Sequence, residues 1–264
     1  MPSNLNLCLF PMDIKWGDKE ANISALKDAI GGMRPGTDIL VLPEMFSTGF
    51  VTHDKEEARE LSEWNSGETM ELLRKLAEEK CMAIAGSFIA DTGGSLFNRA
   101  FFVEPSGDMT FADKRHLFSM GGEHKVFSSG DTRLHVRFRG WNISMVVCYD
   151  LRFPVWCRNV ENEYDLLIAV ANWPKARVEV WNHLLRARAL ENLSYACGVN
   201  CTGTDHKGYE YDGSSLVFDF RGKEITQKED NSPLLYATLS YEKLEAFRRN
   251  FPAWQDSDKF IINL

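Results

Sequence analysis

Two runs, NISMVVC at 142–148 and DLLIAVAN at 165–172, are apolar on both faces of an extended strand. Strands of this kind are buried on both sides, so their sheet needs a covering layer on each face. Strand-length apolar runs recur at 5–10, 38–43, 82–90, 99–104, 134–138, 195–201, 214–220 and 234–239. Helical periodicity lies between them at 18–30, 67–80, 154–162 and 177–193. Early β–α alternation, followed by strand pairs around turn residues, predicts an α/β chain with a mixed sheet. EPSGDM at 104–109 and DFRGKE at 219–224 read as hairpin connections. No linker, repeat or low-complexity stretch interrupts the chain, so residues 1–264 are expected to form one domain. The segment 241–264 is apolar for a chain end, and reads either as an extension reaching a partner subunit or as a segment folded back on its own domain.

The formal net charge of −8 gives no general attraction for nucleic-acid phosphates or anionic lipid. The first 18 residues lack a basic leader region, and no run approaches the ~20 apolar residues that span a bilayer. Six scattered cysteines without a CxxC pair suit a reducing cytoplasm, with mostly buried thiols and one candidate reactive one. The six histidines form no HxH or HExxH pattern, which leaves a zinc-hydrolase reading weak.

Three segments carry candidate chemistry. In VVCYDLRFP, Cys148 ends a buried strand, and a helix is expected to start near Pro154. A strand–helix junction is where α/β proteins place their sites, and backbone N–H groups just after it can face an oxyanion. In LPEMFSTGF, Glu44 ends another apolar run, where partial desolvation suits a general base. In FADKRHLF, Lys114 follows a hairpin between aromatic residues. Each has a plain structural alternative when read alone: an inert buried thiol, a surface acid at a strand end, a solvated loop lysine.

Taken together, LPEMFSTGF, DKRHLF and VVCYDLRFP, in the order Glu, Lys, Cys, resemble the nitrilase superfamily of carbon–nitrogen hydrolases. The resemblance runs from the first strand to DGSSLVFDFRG at 212–222, and includes ANWP at 171–174 and RARALEN at 186–192. It implies an αββα sandwich with Glu44, Lys114 and Cys148 meeting at one edge of the sheets. It also implies a second glutamate, carried over to Glu123, whose alternative is a loop acid facing water. In the implied chemistry Glu44 takes the thiol proton and Cys148 attacks the amide carbon. Lys114 and the Tyr149 backbone N–H stabilise the oxyanion, and no metal or cofactor takes part. The resemblance further implies at least a homodimer.

Within the superfamily, DKRHLFSMGGEHKVFSSGD, CYDLRFPVWCRN and ANWPKARVEVWNHLLRARALEN are most similar to the ω-amidase branch. Its members cleave the terminal amide of small 2-oxo diacid monoamides such as 2-oxoglutaramate and 2-oxosuccinamate. Such a substrate needs a cation for its distal carboxylate, and Arg152 and Arg177 are the candidates. Arg152 is equally placed to pair with Asp150 or Glu191 as scaffold, and Arg177 to sit on the surface at a helix start. Trp173 and Phe118 are candidate pocket walls or core residues. The alternatives are another amide or carbamoyl hydrolase, including a deaminated glutathione amidase, a true nitrilase, or a non-catalytic thiol-based binding or redox protein.

Overall fold

The computed structural model describes residues 2–262. Met1 and the last two residues of the 241–264 segment lie outside the described residues. The first half of the chain contains β1 (Leu5–Leu9), α1 (Lys19–Gly31), β2 (Ile39–Val41), α2 (Lys55–Leu61), α3 (Glu68–Lys80), β3 (Ala83–Asp91), β4 (Leu96–Val103) and β5 (Met109–Asp113). A short α4 (Glu123–Val126) then leads into β6 (Leu134–Phe138), β7 (Trp141–Val147), β8 (Leu166–Ala171), α5 (Val178–Glu191) and β9 (Tyr195–Asn200). The remainder is β10 (Thr202–Thr204), β11 (Glu210–Asp212), β12 (Leu216–Phe218), β13 (Gln227–Lys228), β14 (Leu235–Leu239) and α6 (Tyr241–Asn250).

The strands form two large mixed sheets and one small hairpin. The first sheet runs β13-β14-β1-β2-β3-β4-β5, and the second β12-β9-β8-β7-β6. β1, β2 and β3 are parallel neighbours, as are β7, β8 and β9. Antiparallel strands extend both sheets outward. β10 and β11 pair separately.

The sheets pack face to face. Leu5, Leu7, Leu9, Ile39 and Val41 of the first meet Ile143, Met145, Val147, Ile168 and Val170 of the second in one buried layer. The outer face of the first sheet, with Cys8, Leu40, Ile84 and Phe88, is covered by Leu26 and Ile30 of α1 and Met70, Leu73 and Ala77 of α3. The outer face of the second, with Val146, Leu167 and Ala169, lies under Trp181, Leu185 and Ala189 of α5. This is the αββα layering that two-faced apolar strands require. α5 sits close because β9 offers Gly198: a Cβ there would stand 2.6 Å from a Leu185 methyl carbon.

Two sequence readings are corrected. The strand expected at 99–104 begins three residues earlier, at Leu96, and brings Asn98 into the sheet. The helix expected over 154–162 does not form. Cys148–Arg152 is a 3₁₀ segment, and after it the chain makes turns and a second 3₁₀ turn at Val160–Asn162, where Glu161 and Asn162 have positive φ. Asn159 explains the loss of the helix. Its side chain bonds the backbone of Tyr164 through both N–H and C=O, and also reaches the Asn192 carbonyl, so local side-chain bonds displace helical ones. Both hairpins form, with Glu104 N donating to Asp108 O and Asp219 N to Lys223 O. α2, α4 and α6 were not anticipated, although Asp54 and Ser240 cap the first and last of these.

Candidate active site

β2 and β7 end at the same edge of the sandwich, and both chains turn sharply there. Met45, just after Glu44, has φ +45°, and Cys148 itself has φ +47°. A non-glycine residue in this region costs of order 1 kcal/mol and persists only where its surroundings enforce it. At Cys148 the enforcing group is Asp150, which is buried. One carboxylate oxygen accepts from Val147 N at 3.2 Å, while the other accepts from His116 N and bonds His116 Nδ1, both at 2.8 Å. The elbow is thereby tied to the strand-end segment that carries Lys114. The N–H groups of Cys148 and Tyr149 fall in the first turn of the 3₁₀ segment, where no intrahelical acceptor exists.

Glu44, Lys114 and Glu123 have fully buried side chains and form one cluster. Lys114 Nζ lies 2.9 Å from Glu44 Oε1, and 3.0 and 2.9 Å from the two oxygens of Glu123. Glu44 Oε2 accepts from Asn172 N at 2.9 Å, and Asn172 Nδ2 donates back to the Glu44 carbonyl. Asn172 follows β8, so this pair of bonds joins the two sheets at the site edge. Glu123 Oε2 also accepts from Phe118 N at 2.6 Å. Glu123 is therefore no loop acid facing water. The fourth member of the network is Asn98 of β4, whose Nδ2 donates to Glu44 Oε1 at 2.7 Å and Glu123 Oε1 at 3.1 Å.

The electrostatics follow from burial and charge count. Burial pulls the Lys114 ammonium toward neutrality, but Glu123 and then Glu44 outweigh it and hold the amine above its ordinary value. Burial raises Glu123, Lys114 pulls it back, and Glu44 adds to the rise. The Cys148 thiol is pushed well above its usual range by burial and then by Glu44, against the pull of Lys114. It rests as a thiol, so a nearby cation alone does not make it a thiolate.

Cys148 opens into a cleft of about 280 Å³ with Tyr149, Phe118, Arg152, Trp173 and Arg177 in its wall. All four side chains expected to touch substrate thus face one space. The Arg152 guanidinium lies 4.9 Å from the Trp173 ring centre, and that of Arg177 lies 5.6 Å from the Phe118 ring centre. The scaffold alternative for Arg152 is taken by another residue: Arg188 pairs with Glu191 at 2.7 Å, and Asp150 is committed to His116 and Val147. Trp173 is mostly core, with Nε1 donating to the Arg177 carbonyl. The second wall is the β10–β11 hairpin, with His206, Tyr209 and Tyr211. Sequence reasoning missed that hairpin, Asn98 and Asn172. ANWP was quoted as a motif, but nothing local to it marks Asn172 as the glutamate's partner.

The two-sheet sandwich is the fold of nitrilase-superfamily proteins. Residues 7–249 match the carbon-nitrogen hydrolase family, and the chain belongs to it. Over 261 residues it is 41% identical to the omega-amidase YafV of Yersinia enterocolitica, covering 98% of this chain and 99% of that one. It is 29% identical over 250 residues to a 2-oxoglutaramate amidase of Bacillus subtilis, covering 94% and 95%. Among solved structures it is similar to XC1258 of Xanthomonas campestris, a CN-hydrolase superfamily protein with an arsenic adduct in the active site. That match has a TM-score of 0.93, with 36% identity over 98% of this chain and 99% of that one. The protein is a hydrolase of carbon–nitrogen bonds other than peptide bonds. The non-catalytic reading is thereby set aside.

Proposed function

We propose that the enzyme hydrolyses the terminal carboxamide of a small 2-oxo dicarboxylic acid monoamide through a thioester on Cys148. The observation that carries this reading is the placement of Cys148 between a buried Glu–Lys–Glu cluster and a cleft walled by two arginines. Amidases of 2-oxoglutaramate among its relatives support the substrate class.

Glu44 takes the thiol proton as sulfur attacks the amide carbon, because the resting group is a thiol. The carbonyl oxygen becomes an oxyanion facing the Tyr149 N–H and the Lys114 charge. Lys114 spends its hydrogen bonds on two carboxylates at rest. Protonation of Glu44 weakens its hold on Lys114 and frees the ammonium's field for the oxyanion. The tetrahedral intermediate collapses: the carbon–nitrogen bond breaks, Glu44 returns the proton to nitrogen, and ammonia leaves. Glu44, assisted by Glu123, then takes a proton from water, whose oxygen attacks the thioester. The carbon–sulfur bond breaks, sulfur recovers a proton, and the carboxylic acid departs.

Arg152 and Arg177 supply the cation for the distal carboxylate. Each guanidinium lies against an aromatic ring, Arg152 near Trp173 and Arg177 near Phe118, in the wall of the cleft that Cys148 opens into.

Intact-mass spectrometry of the enzyme with 2-oxoglutaramate, 2-oxosuccinamate, deaminated glutathione and amides lacking a distal carboxylate tests the reading. A transient adduct equal to the amide minus ammonia is expected with the first two, and none with Cys148→Ala. An adduct only with deaminated glutathione, or ammonia release surviving Cys148→Ala, rejects it. Arg152→Met and Arg177→Met are expected to raise KM for the 2-oxo acid monoamides with little change in kcat.

A further inference from the structure

Asn98 occupies a place the sandwich would ordinarily fill with an apolar side chain. It lies on β4 on the same face as Ala100 and Phe102, which belong to the buried layer between the sheets. Its relative exposure is 0%. An amide there costs stability unless its hydrogen bonds are made. Asn98 meets three members of the candidate machinery. Its Nδ2 bridges Glu44 Oε1 and Glu123 Oε1, and its backbone carbonyl accepts from Lys114 N at 2.9 Å. Lys114 Nζ bridges the same two carboxylate oxygens, so the four groups close a ring. Among the described residues Asn98 Oδ1 has no partner, and turning the amide over would set that oxygen against two carboxylates.

We propose that Asn98 is a positioning residue for the reaction: its shared Nδ2 holds the two carboxylates apart and keeps Glu44 aimed at Cys148. The inference rests on Glu44 and Cys148 having the roles given above. Two carboxylates that share one lysine repel each other, and each hydrogen bond donated to them favours the ionised form. The other groups facing Glu44 are Lys114 after β5, Glu123 of α4, the thiols of Cys148 and Cys201, and the Asn172 N–H after β8. Among the described residues, Asn98 supplies the only neutral side-chain donor to both carboxylates. An apolar residue on β4 would fill the space and leave Lys114 as the one donor shared by Glu44 Oε1 and Glu123 Oε1.

The test is the pH profile of kcat/KM for Asn98→Ala, Asn98→Asp and Asn98→Ser, on the best amide found for the wild type. Removing the donor moves the acid limb upward by about one pH unit in Asn98→Ala. Asn98→Asp keeps the shape but adds a third carboxylate, and moves the limb further. Asn98→Ser keeps a shorter donor and falls between wild type and Asn98→Ala. In Asn98→Ala, kcat at neutral pH drops roughly 10- to 100-fold while KM holds. An unmoved acid limb in whichever variants fold, or a loss confined to KM or to thermal stability, overturns the inference. Cys148→Ala is run beside them. Ammonia release surviving in it rejects the nucleophile assignment itself, whereas its loss together with an unmoved Asn98 limb rejects only the role of Asn98. Should Asn98→Ala fail to fold, Asn98→Ser and Asn98→Asp carry the same comparison, and an acid limb unmoved in both overturns the inference.

Discussion

Cys148 combines two features that pull in opposite directions: a strained elbow that exposes sulfur to the cleft, and a buried negative surround that keeps the proton on it. A preformed thiolate would react with any electrophile that entered. In the proposed reaction the thiol is activated only when Glu44 accepts its proton, so it reacts when a substrate carbonyl is in place. Iodoacetamide should therefore alkylate Cys148 slowly at neutral pH, with the rate still rising above pH 9, the ordinary value from which the thiol is displaced. A rate that levels off near neutrality rejects this. Glu44→Gln keeps the side-chain shape and is expected to lower kcat by about 10²–10⁴-fold, measured as ammonia release, which is the usual weight of a general base. Read alone, Glu44, Lys114 and Cys148 each had a plain structural alternative, and they were singled out because LPEMFSTGF, DKRHLF and VVCYDLRFP together resemble the nitrilase superfamily. Asn98 and Asn172 were not, because an asparagine beside apolar residues looks the same whether it bonds a carboxylate or a backbone carbonyl. Only the cross-chain geometry distinguishes them.

Among the elements, α6 shows how a chain end is tied down. Tyr241–Asn250 was read as part of a segment that either reaches a partner subunit or folds back, and its Leu244 and Arg248 are buried against their own chain. Arg248 Nη1 lies 2.6 Å from Asp165 Oδ1, while Nε and Nη2 donate to the carbonyls of Leu193 and Tyr164. This places the folded-back alternative on the page for 241–250. Arg248→Met leaves Asp165 buried without its cation, and is expected to cost about 3–5 kcal/mol in urea unfolding. Replacing Asp165 as well, with Asn, should recover part of that loss, and a double variant no better than the single one rejects the pair as the cause. Beyond α6, Phe251 and Ile261 are exposed. We retain them as the proposed contact with a partner subunit, and a one-chain mass by light scattering rejects it. Element type was legible wherever period and length agreed, as in α1, α3, α5 and both parallel strand sets. It failed at 154–162, where the apolar spacing was right but Asn159 redirected the backbone.

Across the whole molecule, both sheets bury thiols deeply enough to couple stability to alkaline pH. Burial pushes Cys8 and Cys157 up to about 12 from 9.0. In the unfolded chain these thiols ionise near pH 9, whereas in the folded chain they hold their protons. Their contribution is thus fully present below pH 9 and is lost as pH rises toward 12. Each thiol contributes up to about 1.4 kcal/mol per pH unit in that window. Urea unfolding at pH 8 and pH 10 should show the fall, and Cys157→Ala should reduce its slope. Equal stability at the two pH values rejects the linkage. No helix among the described residues is long and apolar enough to cross a membrane.

What the amino-acid order determined alone was the layering, because strands apolar on both faces admit only a covered sheet. The kind of chemistry was what the resemblance carried by three motifs together implied. What only the tertiary structure decided was the company those groups keep. Asn98 from the first sheet and Asn172 from the second reach the same glutamate from positions 54 and 128 residues away in the chain. The turn at Asp150 and the placement of two arginines beside Trp173 and Phe118 likewise depend on contacts between distant segments. Local periodicity reports how a segment sits against a generic interior; it carries no record of which polar atom waits on the other side.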